Sequence, residues 1–141
     1  MEPGRTLLLV RQEPVTEDNL HIWLAKADGS ELRRLHPTAT RGEHAPVFSP
    51  DGKKIAFVTG PHGHERVYVS ALDGSSERDL TPADTWADHP TWSPDSTEIA
   101  FHAVSYTDGT RQIYIADITG AAARRLPGST DDFQPVWSPA Y

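Results

Sequence analysis

The sequence predicts an all-β chain: successive four-stranded antiparallel meanders, the blades of a β-propeller. Three observations predict it. One stretch recurs. It reads His44-Ala-Pro-Val-Phe-Ser-Pro-Asp-Gly-Lys-Lys-Ile-Ala-Phe57, then His89-Pro-Thr-Trp-Ser-Pro-Asp-Ser-Thr-Glu-Ile-Ala-Phe101, then, cut short, Gln134-Pro-Val-Trp-Ser-Pro139. Its first prolines, Pro46, Pro90 and Pro135, are 44 and 45 residues apart, a period that marks an array of like supersecondary units. The chain also carries 10 glycines and 12 prolines with 37% hydrophobic residues, which suits short strands joined by tight turns. Finally, four strand-like runs fit each period, and that is the content of one blade.

The elements follow in order. Arg5 to Arg11 is an apolar strand whose Leu7 and Leu9 correspond to Ile55 and Phe57, and to Ile99 and Phe101. Gln12 to Asn19, with Pro14, is a polar loop. Leu20 to Ala25 is the next strand, matched by Val67-Tyr-Val69 and Ile113-Tyr-Ile115. Apolar residues flank the aromatics Trp23, Tyr68 and Tyr114 on both sides, as in a strand covered on both faces. Asp28-Gly29 and Asp73-Gly74 mark hairpin turns, with Gly120 at the third site. Short outer strands end on Leu35, Leu80 and Leu126, each preceded by one or two arginines. The inner strand of each repeat ends on an aromatic (Phe48, Trp92 or Trp137) before a Ser-Pro turn. Proline sets φ for such a turn, Asp bonds back to its own backbone, and Gly accepts positive φ.

The blocks Pro-x-Trp/Phe-Ser-Pro-Asp-Gly-x-x-Ile-Ala-Phe, Ile-Tyr-x-Ala-Asp-x-x-Gly and Arg-Arg-Leu recur in register. Together they resemble the WD40-like blade of the TolB propellers, and the blade found in propeller domains of prolyl-oligopeptidase-type peptidases. The chain departs from that pattern where Gly52 becomes Ser96, where the last copy lacks Asp-Gly, and where the first copy lacks its inner strand. The resemblance implies a six-bladed ring and a non-catalytic role in binding protein partners at the axial opening.

Read as blades, residues 1–141 form one half-propeller domain. Blades span 44–87 and 88–132, and a third is split between 1–43 and 133–141. Three blades leave two apolar blade faces exposed, and such patches mark interaction sites. Closed rings have four blades or more. The expected partner is therefore a second copy, in a two-fold homodimer whose Gln134–Ser138 strand pairs with the other copy's Arg5–Arg11. A fragment of a longer propeller is the rival reading.

Net charge is −7, which disfavours a nucleic-acid partner. The apolar run Leu7 to Val10 is too short to span a membrane or to serve as a signal-peptide core. The expectation is a soluble protein with no membrane partner, cytoplasmic as written and periplasmic if a leader precedes it. No cysteine is present, so disulfides and thiolate metal sites are excluded.

Candidate binding residues cluster before each inner strand: Glu43 and His44, Asp88 and His89, Asp132 and Gln134. Inner strands line a propeller axis, so these residues should rim one mouth of the channel. The rim could take a protein segment, a cationic peptide end, or a divalent metal through carboxylate and imidazole. The same residues could instead bond neighbouring backbone and shape the blade entrance. Trp86 has no aromatic counterpart in the other repeats and reads as a loop anchor for a partner, or as packing over the next blade. His62 and His64 lack further ligands nearby. His21, His36 and His102 read as isolated and structural or solvent-facing. Ser49, Ser93 and Ser138 recur and read as turn caps, and the outer-strand arginines as a solvated face.

No Gly-x-Ser-x-Gly elbow, His-Glu-x-x-His or phosphate loop is present, so no catalytic residue and no required cofactor is assigned. The first expectation is a scaffold that binds protein or peptide. The alternatives are a metal-dependent, polysaccharide-lyase-like enzyme using axial His and Asp, and an engineered or relict half-propeller whose one activity is assembly.

Overall fold

The computed structural model describes residues 5–12 and 20–139. The loop expected over Gln12–Asn19 falls outside the described residues apart from Gln12. Eleven strands are seen among the described residues, and no helix there is long and apolar enough to cross a membrane. The first sheet holds β1 (Thr6–Gln12), β2 (Leu20–Lys26) and β3 (Arg33–Arg34). The second holds β4 (Glu43–Phe48), β5 (Lys54–Thr59), β6 (Arg66–Ala71) and β7 (Arg78–Asp79). The third holds β8 (Thr85–Trp92), β9 (Glu98–Ser105), β10 (Arg111–Asp117) and β11 (Arg124–Arg125). Every pairing is antiparallel between consecutive strands, so each sheet is a meander. Residues 132–139 join no sheet.

The Ser-Pro turns work as a side-chain device. Ser49 Oγ donates to Asp51 Oδ1 at 2.6 Å and accepts from the Lys54 amide at 2.9 Å. Ser93 repeats both bonds with Asp95 and the Glu98 amide, at 2.7 and 2.9 Å. The serine hydroxyl bonds hold both aspartates below the ordinary carboxylate range. Ser96, at Gly52's position, takes the same left-handed conformation (φ 63° against 72°). There its hydroxyl accepts from the Asp51 amide of the preceding sheet at 3.0 Å.

Sheets stack face to face, β4 against β1 and β2, and β8 against β4, β5 and β6. Between the first two sheets lie Ile22, Leu24, Leu35, Ile55 and Phe57. Between the second and third lie Val58, Val67, Ala87, Trp92 and Phe101, among others. This is the ladder of two-sided strands that the aromatic-centred pattern predicts. An indole tie repeats at the second seam and at the C-terminal segment. Trp92 Nε1 donates to the Val47 carbonyl and Trp137 Nε1 to the Thr91 carbonyl, both at 3.1 Å.

The outer-strand arginines are exposed, apart from the half-buried Arg34, and two of them also tie neighbouring sheets. Arg33 donates to the Leu72 carbonyl at 2.9 Å and Arg78 to the Ile118 carbonyl at 3.1 Å. Each therefore ties its sheet to the turn of the next. Charge and length favour this, because a guanidinium can keep its stem along the sheet edge while its fork reaches a free carbonyl.

Candidate functional site

The inner strands each carry an irregularity where the sequence places the rim. Strand pairing shifts register between His44 and Val47 in β4, and between Asp88 and Thr91 in β8. Ala45 and His89, each just before a proline, sit at φ 51° and 57°, and Gln134 repeats the feature at 55°. Glu43, His44, Asp88 and His89 thus lie within the inner strands at a bulge, while Asp132 and Gln134 lie in a segment that joins no sheet. The first four do not precede those strands, because the ladder resumes on both sides of the extra residue. A bulge re-aims side chains, and here it separates neighbours that the sequence groups together.

Glu43 turns inward. It is 2% exposed and bonded to His36, so it is not part of an open rim. His44, on the opposite face of the pleat, lines a different groove of ≈ 430 Å³ together with Trp86, Asp88, Leu20, His62 and Glu65. Trp86 corrects the loop assignment. It sits in β8 opposite Val104, half-buried, with its ring edge-on to His102 at 6.1 Å. Asp88 caps its own bulge by accepting from the His89 amide at 2.7 Å.

His89 and Gln134 meet each other, His89 Nε2 to Gln134 Nε2 at 3.2 Å. Asp132 accepts from the Thr130 amide at 3.0 Å and belongs to a turn on the third sheet. The structure therefore brings together His44, Trp86 and Asp88, joins His89 to Gln134, and leaves Glu43 and Asp132 apart.

One residue not selected from the sequence, Glu65, completes the groove. Glu65 is buried, receives His62 Nδ1 at 3.1 Å through one oxygen, and keeps its other oxygen without a partner. His102 is buried, not solvent-facing, and stacks 5.0 Å from His89. Burial holds its imidazole below the ordinary value, and the charge of His89 adds to this while Asp88 opposes it. His64 is occupied by Tyr106, Nδ1 to hydroxyl at 3.1 Å. The groove joins an indole face, carboxylates and imidazoles, a set suited to a basic or amphipathic segment more than to an anion.

The TolB beta propeller domain family model matches residues 21–140. The Tol-Pal system protein TolB of Zymomonas mobilis is 38% identical over 78 residues, 55% of this chain and 17% of that protein. Tricorn protease homolog 1 of Streptomyces coelicolor is 31% identical over 113 residues, 74% of this chain and 9% of that protein. Among solved structures, a TolB from Agrobacterium tumefaciens superposes with a TM-score of 0.72 at 22% identity, covering 96% of this chain and 51% of that one. An oligogalacturonate lyase in complex with manganese gives 0.66 at 18% identity, over 86% and 37%. The chain thus spans about half of the first structure and under a fifth of the first relative.

Proposed function

The chain belongs to the TolB β-propeller family, and from that premise we propose that it is a non-catalytic scaffold that binds a basic segment of a protein partner. The groove beside the inner-strand bulges is the binding surface, and one observation carries the reading: Trp86, His44 and Asp88, from two adjacent sheets, line one groove. An aromatic anchor beside acidic groups fits an Arg- or Lys-bearing partner. A net charge of −7 favours the same partner over long range.

The reading includes pairing of two copies into one ring. Residues 132–139 rest on the third sheet through the Trp137 bond that β8 makes through Trp92. Among the described residues they bond to no second strand, and Val136 is 87% exposed. On the first sheet β1 has β2 on one side only, and Leu7 is 48% exposed. Carrying the β4–β5 register over sets Trp137 of one copy opposite Leu7 of the other.

Fluorescence anisotropy with a labelled Lys/Arg-rich decapeptide tests the binding. Saturable binding to the wild type, weakened about tenfold or more by Trp86→Ala and by Asp88→Asn, supports the reading. Absent binding, or binding equal in all three proteins, overturns it. Light scattering on the same samples should give twice the 15.5 kDa of one chain, and a monomer alone removes the ring. Stoichiometric manganese lost in both His44→Ala and His89→Ala would replace the scaffold with a lyase-like enzyme.

A further inference from the structure

His36 follows the last leucine of the first outer strand, where the next repeats have Thr81 and Pro127. Glu43 sits in β4 where β8 has Ala87. Glu77 precedes β7 where the neighbouring repeats have Leu32 and Ala123. The blade geometry is thus met without these three residues elsewhere in the same molecule, yet here they converge. One ligating atom from each lies within 4.8 Å of the others.

The arrangement has a direction. Glu43, itself buried, accepts from His36 Nδ1 at 2.5 Å and also faces the Ile22 amide at 3.5 Å. A carboxylate behind Nδ1 places the proton there, which leaves Nε2 of the neutral ring as a lone pair. The ring is 6% exposed and packs against Phe57 at a tilt of 42°, with centroids 4.9 Å apart. Nε2 has no hydrogen-bond partner among the described residues. What it faces is another acceptor, Glu77 Oε1, at 3.2 Å.

In the neutral ring two acceptors face each other, and a cation between them, a metal ion in place of a second proton, joins them. Bonds of about 2.0–2.2 Å to one ion place a nitrogen and an oxygen ligand about 3.0–3.4 Å apart, depending on the bond angle. The observed separation falls in that range. A carboxylate on the far nitrogen is also how proteins orient a metal-bound histidine. The space in front is a polar cavity of ≈ 540 Å³ that also borders Thr38, Thr40, Asp73 and Ser76, with room for waters to complete the shell.

We propose that His36 Nε2 and Glu77 bind a divalent transition-metal ion at the seam of the first two sheets, with Glu43 as the positioning carboxylate. Imidazole with carboxylate suits zinc or its neighbours more than calcium or magnesium. The ion would join the loop that leaves the first sheet to the outer strand of the second, and so would stiffen that seam. This site lies apart from the His44–Trp86–Asp88 groove and stands or falls separately.

Zinc alone is the probe, on the full chain, by calorimetric titration and thermal unfolding. The expected result is one zinc per chain and a raised Tm in its presence. Glu77→Gln should keep the metal-free Tm, because that side chain is 38% exposed, while losing at least about tenfold in affinity. Glu43→Gln should weaken zinc about 10–100-fold. His64→Ala, on an exposed loop outside both cavities, should leave the zinc affinity unchanged. Wild-type protein that takes up no zinc, affinity unchanged by Glu77→Gln, or affinity lost with His64→Ala would each overturn the proposal.

Discussion

The same seam between sheets is built twice in this molecule, with different interiors. At the first, the strand position opposite Thr59 is Glu43, held by His36. At the second, the equivalent position opposite Ala103 is Ala87, fully buried among Phe101, Trp92 and Val67. Elsewhere the two seams agree: each has its arginine tie and its glycine turn pressed on the sheet before. The comparison teaches that the backbone stacks equally well over an apolar or a hydrogen-bonded polar interior. The charge at the first seam is then a local feature of three side chains, and not a requirement of the repeat.

The sharpest way to break this comparison is to move the charge. Ala87→Glu would bury a carboxylate with no histidine to receive it. The expected cost is about 3–5 kcal/mol, the range for an unpaired buried charge, and chemical denaturation measures it. A variant as stable as wild type would mean that the second seam already contains a polar route for the carboxylate, and the contrast would be lost.

The next largest effect concerns inner and outer faces. A Cβ on Gly74 would collide with the Leu35 carbonyl, whereas one on Gly29 meets nothing within 4 Å. Both residues have positive φ, 82° and 85°. Gly29→Ala should therefore cost about 1 kcal/mol, the left-handed penalty alone. Gly74→Ala should cost about 1–3 kcal/mol more for overpacking. Equal losses at high protein concentration, diverging on dilution, would show a second chain seated on the Gly29 turn.

Much of this contrast was written in the repeat, and some was not. The strands, the Ser-Pro turns and the meander order rest on local chemistry at fixed spacing, so they could be read directly. A positive φ at Ser96 could not, since serine usually avoids it; the hydroxyl bond to Asp51 of the neighbouring sheet compensates. The rim residues were found as a group because they share a place in the repeat. Their division into two sites follows from the pleat, which sends Glu43 and His44 to opposite faces. The His36–Glu43–Glu77 cluster joins residues from two sheets. Its only trace in the sequence is that all three positions depart from the repeat at once.

A smaller effect tests the polar ties. Phe48 occupies in the first seam the place of Trp92 in the second, and lacks a ring donor. Trp92→Phe keeps the aromatic body and removes the bond to the Val47 carbonyl. The expected loss is about 1 kcal/mol, the net value of one such bond. A loss several times larger would show that the indole fills volume that a phenyl ring cannot.

The smallest effect is a pH dependence confined to the face of the third sheet turned away from the second seam. His102 occupies in the third sheet the position that Val58 holds in the second, and both are buried. Its neighbours His89 and Arg111 push its pKa down with burial, and Asp88 pushes it up. The folded ring therefore binds a proton less readily than the unfolded one, whose ordinary value is 6.5. Stability from this group is present above that value and is lost as pH falls below it, until the folded ring also takes its proton. Unfolding free energies measured across this window should decline toward acid, and His102→Val should flatten the decline by importing the second sheet's residue at the same position. A slope unchanged in that variant would assign the acid sensitivity elsewhere and remove this difference between the two sheets.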